Sequence, residues 1–197
     1  MPKPVKKIIL ASASPRRKEL LEKLGLEFEV ESSDYEERSA PTVDPCGLVI
    51  KNSLAKARAV AARHKKAIII AADTIGVIRG KVIGKPHTAD EAGRMLRSLS
   101  EKSHRVITGF TIIDTETGRT ISKSNETKVY FRKLTPPEID AYVKTGEPLD
   151  KAGAYAIQGL GAVVVEKIEG DYYNVIGLPL SALTESLKEF GIFILRK

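Results

Sequence analysis

Apolar and polar positions along this chain switch repeatedly between strand and helix periods. Residues 6–12 (KKIILAS) are a short apolar run rich in β-branched residues and ending in small ones, which predicts a buried strand. Ser14 stands where a helix cap belongs, Pro15 suits the first helical position, and Gly25 falls just past the end. Leu20, Leu21 and Leu24 form the inward face of that helix. Residues 28–31 alternate apolar and charged, as a half-exposed strand does, and 32–44 are polar and acidic, a loop. From 45 to 65 the period is helical, with Leu48, Leu54, Ala55, Ala59 and Ala62 recurring at that spacing.

Residues 67–72 read as a fully buried strand that stops at Asp73. Next, 74–78 and 81–83 flank Arg79-Gly80 as a hairpin. Thr88 and Glu91 have the spacing of a capping box and open a helix to about Leu99. Two long strand patterns, 104–114 and 119–131, are joined by Thr115-Glu116-Thr117-Gly118 as a second hairpin. Thr135 and Glu138 form another capping box, opening a helix that ends near Gly146. A glycine-rich segment leads to a strand at 162–165, a helix after Leu178 and a closing strand at 192–195. Strands and helices interleave around two hairpins, so the pattern predicts an α/β fold with a mixed sheet rather than a strictly alternating parallel one. No repeat, low-complexity tract or linker divides the chain, and residues 1–197 are expected to form one domain.

Composition narrows the class. The 197 residues are 42% hydrophobic and 29% charged, an ordinary globular balance. The basic start followed by apolar residues invites comparison with a secretory signal. Its apolar run covers only 8–11, however, short of the roughly 7–15 residues such a segment needs. The run at 67–72 is likewise far below a membrane span. With a single cysteine, Cys46, and no Cys/His cluster, neither an internal disulfide nor structural zinc is expected, and a reducing, cytoplasmic setting fits. The net charge of +7 favours anionic partners or simply a well-solvated basic surface. Aromatics at 6%, with no tryptophan, argue against stacking platforms for single strands.

Four segments carry candidate chemistry. Ser12, Ser14, Arg16 and Arg17 lie between a strand and a helix, where unpaired N–H groups and the helix dipole favour phosphate. They equally suit a capped helix with exposed arginines. The glycines of a Walker A loop are absent. Asp73, at the end of an apolar strand, could hold Mg²⁺ or take a proton from water; it could also cap a turn. Lys85, in Gly84-Lys85-Pro86, sits on a turn as either a ligand group or an exposed lysine. Residues 150–159 (DKAGAYAIQG) mix small and polar residues, which suits a loop approaching a ligand closely or a tight connection.

Order and wording together resemble the Maf family of nucleotide pyrophosphatases. The matching segments are LASASPRRKELL (10–21), SLAKARAVA (53–61), AADTI (71–75), GKP (84–86), HRVITGF (104–110), 127–159 and GDYYNVIGLPL (170–180). The resemblance implies an elongated, two-lobed fold of the Maf and inosine-triphosphatase type, with a mixed, curved sheet flanked by helices. It implies cleavage of nucleoside triphosphates to monophosphate and pyrophosphate with a divalent cation, Mg²⁺ or Mn²⁺. Asp73 matches the catalytic carboxylate. Ser12, Arg16, Arg17, Lys56 and Lys85 fall in the phosphate pocket, and Asp73 and Glu37 would serve the metal. Arg16, Thr74 and Gln158 match positions linked to base preference, and the segment with Gln158 resembles the dTTP/UTP subgroup. A glutamine amide both donates and accepts, which suits O4 and N3–H of uracil or thymine. A carboxylate in its place would suit guanine. The family also implies a cytoplasmic homodimer with no membrane and no obligate nucleic acid, acting in house-cleaning of nucleotide pools, with links to septum formation. The alternatives are a pyrophosphatase for modified purines such as 7-methyl-GTP, and a non-catalytic septum-associated or nucleic-acid-binding protein. Two departures, Ile83 where leucine is usual and Gly76 within a β-branched run, are expected to alter packing only.

Overall fold

A computed structural model describes residues 6–35 and 44–195. In chain order the elements are β1 (Lys7–Leu10), α1 (Pro15–Glu22), β2 (Glu29–Val30), α2 (Pro45–Ala61), β3 (Ala67–Ile78), β4 (Lys81–Ile83), α3 (Ala89–Leu99), β5 (Ser103–Asp114), β6 (Thr120–Phe131) and α4 (Pro136–Lys144). Three 3₁₀ segments follow at Glu147–Asp150, Ala152–Ala154 and Gly159–Val164, then β7 (Val165–Glu169), α5 (Tyr172–Ile176) and α6 (Leu180–Lys188).

The seven strands form one mixed sheet in the order β2-β1-β3-β5-β6-β7, with β4 beside β3. β3, β5 and β6 are each twelve residues long, roughly 40 Å at the usual strand rise. They run through two apolar clusters on one face. The first packs Leu20, Leu21, Leu183 and Leu187 against Ile68, Ile70 and Phe110. The second packs Leu96, Leu99 and Ile139 against Val106, Val129 and Phe131. On the other face α2 sets Ala57 and Val60 over Ile9, Ile69 and Ala71. The expected two-lobed α/β arrangement with a mixed sheet is present. Among the described residues no helix is long and apolar enough to cross a membrane.

Local signals place most ends. Thr88 accepts a hydrogen bond from the Glu91 N–H at 3.2 Å, as its capping box predicts. Arg79 and Gly80 both have positive φ (49° and 77°), as a two-residue hairpin turn requires. Ser14 occupies the N-cap of α1 but its side chain makes no capping bond; its N–H instead donates to Ser12 Oγ at 3.2 Å.

Several expectations need correction. The strand at 67–72 does not stop at Asp73 but continues to Ile78, because β5 pairs with it from Ile68 through Val77. The buried stripe of α2 is Val49, Asn52, Ser53, Lys56, Ala57 and Val60, rather than the one through Leu48, Leu54, Ala55, Ala59 and Ala62. An apolar count misses it because three of its members are polar. The strand placed at 162–165 begins only at Val165, since the 3₁₀ turn over Gly159–Val164 packs Gly161 against Ala156 and Tyr142. Residues 192–195 form no strand: Ile192 bonds back to the Leu187 carbonyl after α6, and Leu195 is 95% exposed. The short helix α5 was not expected.

Candidate active site

The position of the site follows from how β3 is shared. On one edge it pairs continuously with β5. On the other, β1 lies parallel to it only as far as Leu10↔Ile70, and β4 resumes antiparallel at Gly76↔Ile83. Residues 71–75 therefore face a gap in the sheet, into which the chain after β1 delivers Ser12. Side chains alternate across a strand. Asp73, following Ile69 and Ala71, points to α2, and Thr74, following Ile70 and Ala72, points to the opposite face.

α2 meets Asp73 with Asn52 and Lys56, four residues apart and so on one helical face. Lys56 Nζ donates to Asp73 Oδ1 at 2.8 Å, and Asn52 Nδ2 donates to Oδ2 at 2.9 Å. Tyr35 in turn donates to Asn52 Oδ1 at 3.2 Å. All three members of the triad are nearly inaccessible, Asp73 at 2%, Asn52 at 2% and Lys56 at 6% exposure. Burial alone would push the Asp73 carboxyl up. The Lys56 charge and hydrogen bond, the Asn52 amide and the more distant Arg17 outweigh that and hold it below the ordinary carboxylate range. Asp73 is thus an anion at neutral pH, each oxygen already accepting one hydrogen bond and retaining capacity for another.

The helix comes this close because of Gly109, the cross-strand partner of Asp73. A Cβ there would lie 2.5 Å from the Val49 carbonyl carbon. Gly109→Ala is expected to destabilise the fold by about 1–3 kcal/mol, the usual cost of overpacking, and to lift Asn52 and Lys56 from Asp73. Urea unfolding measured beside activity checks both.

On the opposite face a chain of hydrogen bonds fixes Thr74. Arg17 donates through Nε to the Gly177 carbonyl (2.9 Å), through Nη1 to Ser12 Oγ (3.2 Å) and through Nη2 to Thr74 Oγ1 (3.0 Å). Thr108 donates to the Asn174 carbonyl at 2.9 Å, which leaves its oxygen to accept from Thr74 at 2.9 Å. One guanidinium thereby ties the Ser12 loop, β3 and the end of α5 together, using the rigid fork that distinguishes arginine from lysine.

These groups line a cavity of about 480 Å³, well within the range of small-molecule sites. Its lining includes the polar and charged Ser12, Arg16, Lys56, Asp73 and Lys85, together with Lys151 and Asp150, which form an ion pair. Arg16 is half-buried and Lys85 exposed. The lining also includes the uncharged Gly76, Ile83, Val106, Tyr155, Ile157 and Val175. Also in the lining, His104 Nε2 and the Tyr155 hydroxyl share a hydrogen bond of 2.9 Å. Burial holds His104 down at about 4 and pushes the Tyr155 phenol up, so both are neutral at pH 7. Gln158 lines this cavity half-buried. Its loop is anchored from behind: Glu147 accepts from Tyr142 (2.8 Å) and from the N–H groups of Gly161 (2.9 Å) and Leu160 (3.1 Å). The Gly153 N–H bonds to the Gly84 carbonyl at 3.0 Å, joining this loop to the one bearing Lys85.

Eight of the residues singled out in the sequence, Ser12, Arg16, Arg17, Lys56, Asp73, Thr74, Lys85 and Gln158, line one cavity despite their separation along the chain. Glu37 lies outside the described residues. Asn52, Thr108 and Glu147 were missed. Asn52 stands four residues before Lys56, and that helical spacing was the one available signal. Thr108 and Glu147 act through tertiary contacts alone.

Comparison with known proteins agrees with this geometry. The family model described as "Maf-like protein" matches residues 7–190. The chain is 49% identical to a dTTP/UTP pyrophosphatase of Methanosarcina barkeri, over 96% of this chain and 97% of that one. It is 53% identical to a dTTP/UTP pyrophosphatase of Thermoanaerobacter pseudethanolicus, over 96% and 100%. Among solved structures, the Ham1 protein of Staphylococcus aureus shares the fold with a TM-score of 0.53 at 12% identity, over 94% of this chain and 100% of that one. With a family match spanning nearly every element that builds the cavity, the chain belongs to the Maf family.

Proposed function

We propose that this protein hydrolyses dTTP and UTP to the monophosphate and pyrophosphate, with Asp73 as the catalytic carboxylate. The observation that carries this reading is the buried, ionised Asp73 at the gap in the sheet, in a cavity lined by both basic and uncharged groups. A nucleoside triphosphate needs both, basic groups for its phosphates and uncharged ones for its base. Arg16, Lys85 and Ser12 hold its phosphates, with arginine gripping two oxygens at once. The base lies toward Thr74 and Gln158. The two relatives named above carry dTTP and UTP in their names, which supports the choice of base.

In the free protein Lys56 keeps Asp73 a weak base. Bound phosphate oxygens draw on the Lys56 charge, loosen its hold on the carboxylate and raise the basicity of Asp73 as water is positioned for attack. Water oxygen bonds to the α-phosphorus, its proton passes to Asp73, and pyrophosphate leaves. Charge compensation of this kind is usually the largest catalytic contribution.

Asp73 also suits a divalent cation, Mg²⁺ or Mn²⁺. Among the described residues no cluster of three or more His, Cys, Asp or Glu side chains is present. One carboxylate nonetheless fits Mg²⁺, which is commonly bound through one or two carboxylates together with substrate phosphates. When bound, the cation neutralises phosphate charge and polarises the phosphoryl oxygens. Glu37 is the second carboxylate of this proposal. A cytoplasmic homodimer completes the reading on family grounds, and sedimentation at twice 21.5 kDa would support the dimer.

Gln158 tests the base contact. Replacing its amide with a carboxylate removes the donor to O4 and leaves a charge against it. Gln158→Glu is therefore expected to lower kcat/KM for UTP by about tenfold or more, the cost of leaving one buried polar group unsatisfied. Unchanged UTP kinetics in that variant would contradict the assignment.

A further inference from the structure

Gln158 lies in a segment fastened on both sides to one pair of residues, Tyr142 and Glu147. Tyr142, on the buried face of α4, donates from its hydroxyl to Glu147 Oε1 at 2.8 Å. The same hydroxyl accepts from the Ala156 N–H at 3.3 Å, two residues before Gln158. On the far side, the Gly161 N–H donates to Glu147 Oε1 at 2.9 Å and the Leu160 N–H to Oε2 at 3.1 Å. Neither Tyr142 nor Glu147 lines the cavity, whereas Ala156, Ile157 and Gln158 do. Glycines let the segment close this tightly. A Cβ on Gly161 would lie 2.3 Å from the Ala156 carbonyl oxygen and 2.4 Å from the Tyr142 hydroxyl. Gly159, at a φ of 67°, would bring its Cβ within 2.9 Å of Glu147 Oε2. Burial would push the Glu147 carboxyl up, but the Tyr142 hydroxyl and the Gly161 and Leu160 N–H groups hold it below the ordinary range. An ionised carboxylate only accepts, so it meets three donors without conflict.

A side-chain amide selects a base by which of its two ends meets O4 and which meets N3–H. That discrimination depends on where the backbone at 158 is held. Loops hold such geometry less precisely than regular elements unless a supporting layer of hydrogen bonds fixes them. The Tyr142–Glu147 pair is that layer, and it draws on α4, whose Ile139 and Tyr142 are buried in the second apolar cluster. We propose that Glu147 is a positioning residue for base selection: with Tyr142 it fixes residues 156–161 so that the Gln158 amide meets the pyrimidine edge. This rests on the nucleotide reading and the Gln158 contact above.

The test is a double-mutant cycle between Glu147→Gln and Gln158→Ala, with UTP as substrate and inorganic tripolyphosphate, which has no base, as inhibitor. Whichever way the new amide at 147 turns, its NH2 meets a backbone donor, the N–H of Gly161 or of Leu160. Glu147→Gln is expected to raise KM for UTP about tenfold, on the scale of one polar group left unsatisfied. Its kcat at saturation should be kept, as loss of uniform binding requires. Tripolyphosphate inhibition should stay as in wild type. In the Gln158→Ala background, Glu147→Gln should add less than about twofold, because residues acting through one contact are not additive. Tyr142→Phe, which removes the hydroxyl and leaves the ring, should raise KM in the same direction, and it carries the test should Glu147→Gln fail to fold. Equal effects of Glu147→Gln with and without the Gln158 side chain would overturn the inference and leave the pair a structural clasp. So would an unmoved KM, or tripolyphosphate inhibition weakening in step with UTP binding. Gln158→Ala with wild-type UTP kinetics would overturn the base contact and this inference together. Wild-type protein that cleaves no triphosphate would overturn the nucleotide reading itself.

Discussion

Asp73→Asn is expected to lower turnover of UTP at least ~100-fold, the low end of a general-base contribution. The variant is nearly isosteric and its amide oxygen still accepts from Lys56 or Asn52. Its NH2 meets the other donor, however, and Lys56 loses its counter-charge, so some stability is expected to go with the anion. What is lost is the anion: asparagine neither takes a proton from water nor offers a charge to a divalent cation. Steady-state rates at saturating UTP, with folding checked by thermal melting, read the effect. The loss should fall on kcat, because the carboxylate acts on the attacking water, whereas Arg16, Lys85 and Ser12 are the groups proposed to hold the phosphates. Near-normal turnover in a folded variant would remove Asp73 from the chemistry.

Lys56→Met carries the second-largest expected effect, acting on both stability and rate. The Lys56–Asp73 pair is almost fully buried, with side-chain exposures of 8% and 3% at 2.8 Å. Removing one partner of such a pair strands the other charge and typically costs about 3–5 kcal/mol. For a chain of this length each kcal/mol shifts Tm by roughly 2–4 °C. The pH dependence has a definite sign. In the wild type Asp73 is held below its unfolded value, so the pair's stabilisation is fully present above about pH 4 and is lost as pH falls toward the folded value. Without Lys56, burial, which is the largest influence on this carboxyl, is opposed only by Asn52 and Arg17. Its pKa therefore moves up, and the acid limb of the activity profile moves to higher pH. A variant with wild-type stability and an unshifted acid limb would mean that Lys56 does not control Asp73.

The two hairpins and the starts of α1, α3 and α4 follow from local pattern, because alternation, capping and turn residues act over a few positions. Asp73 shows where local pattern fails. A carboxylate ends an apolar run in sequence, yet β3 carries it through the middle of the sheet because α2 supplies a cation and an amide at that height. The same cause hides the buried stripe of α2: Asn52, Ser53 and Lys56 read as surface residues until their partners are known. Arg16, Lys85 and Gln158 were legible through short segments that keep their order, although nothing local said that their loops meet. That meeting depends on the Gly153–Gly84 bond and on Glu147 gathering the 159–161 turn, contacts set by the fold alone.

The central claim is the bond that is cut. Incubating the protein with UTP and Mg²⁺ in ¹⁸O-labelled water, and resolving the products by ³¹P NMR and mass spectrometry, reads it directly. Attack at the α-phosphorus with Asp73 as proton acceptor predicts UMP carrying one ¹⁸O and unlabelled pyrophosphate. UDP with orthophosphate, or label in the pyrophosphate, would contradict it.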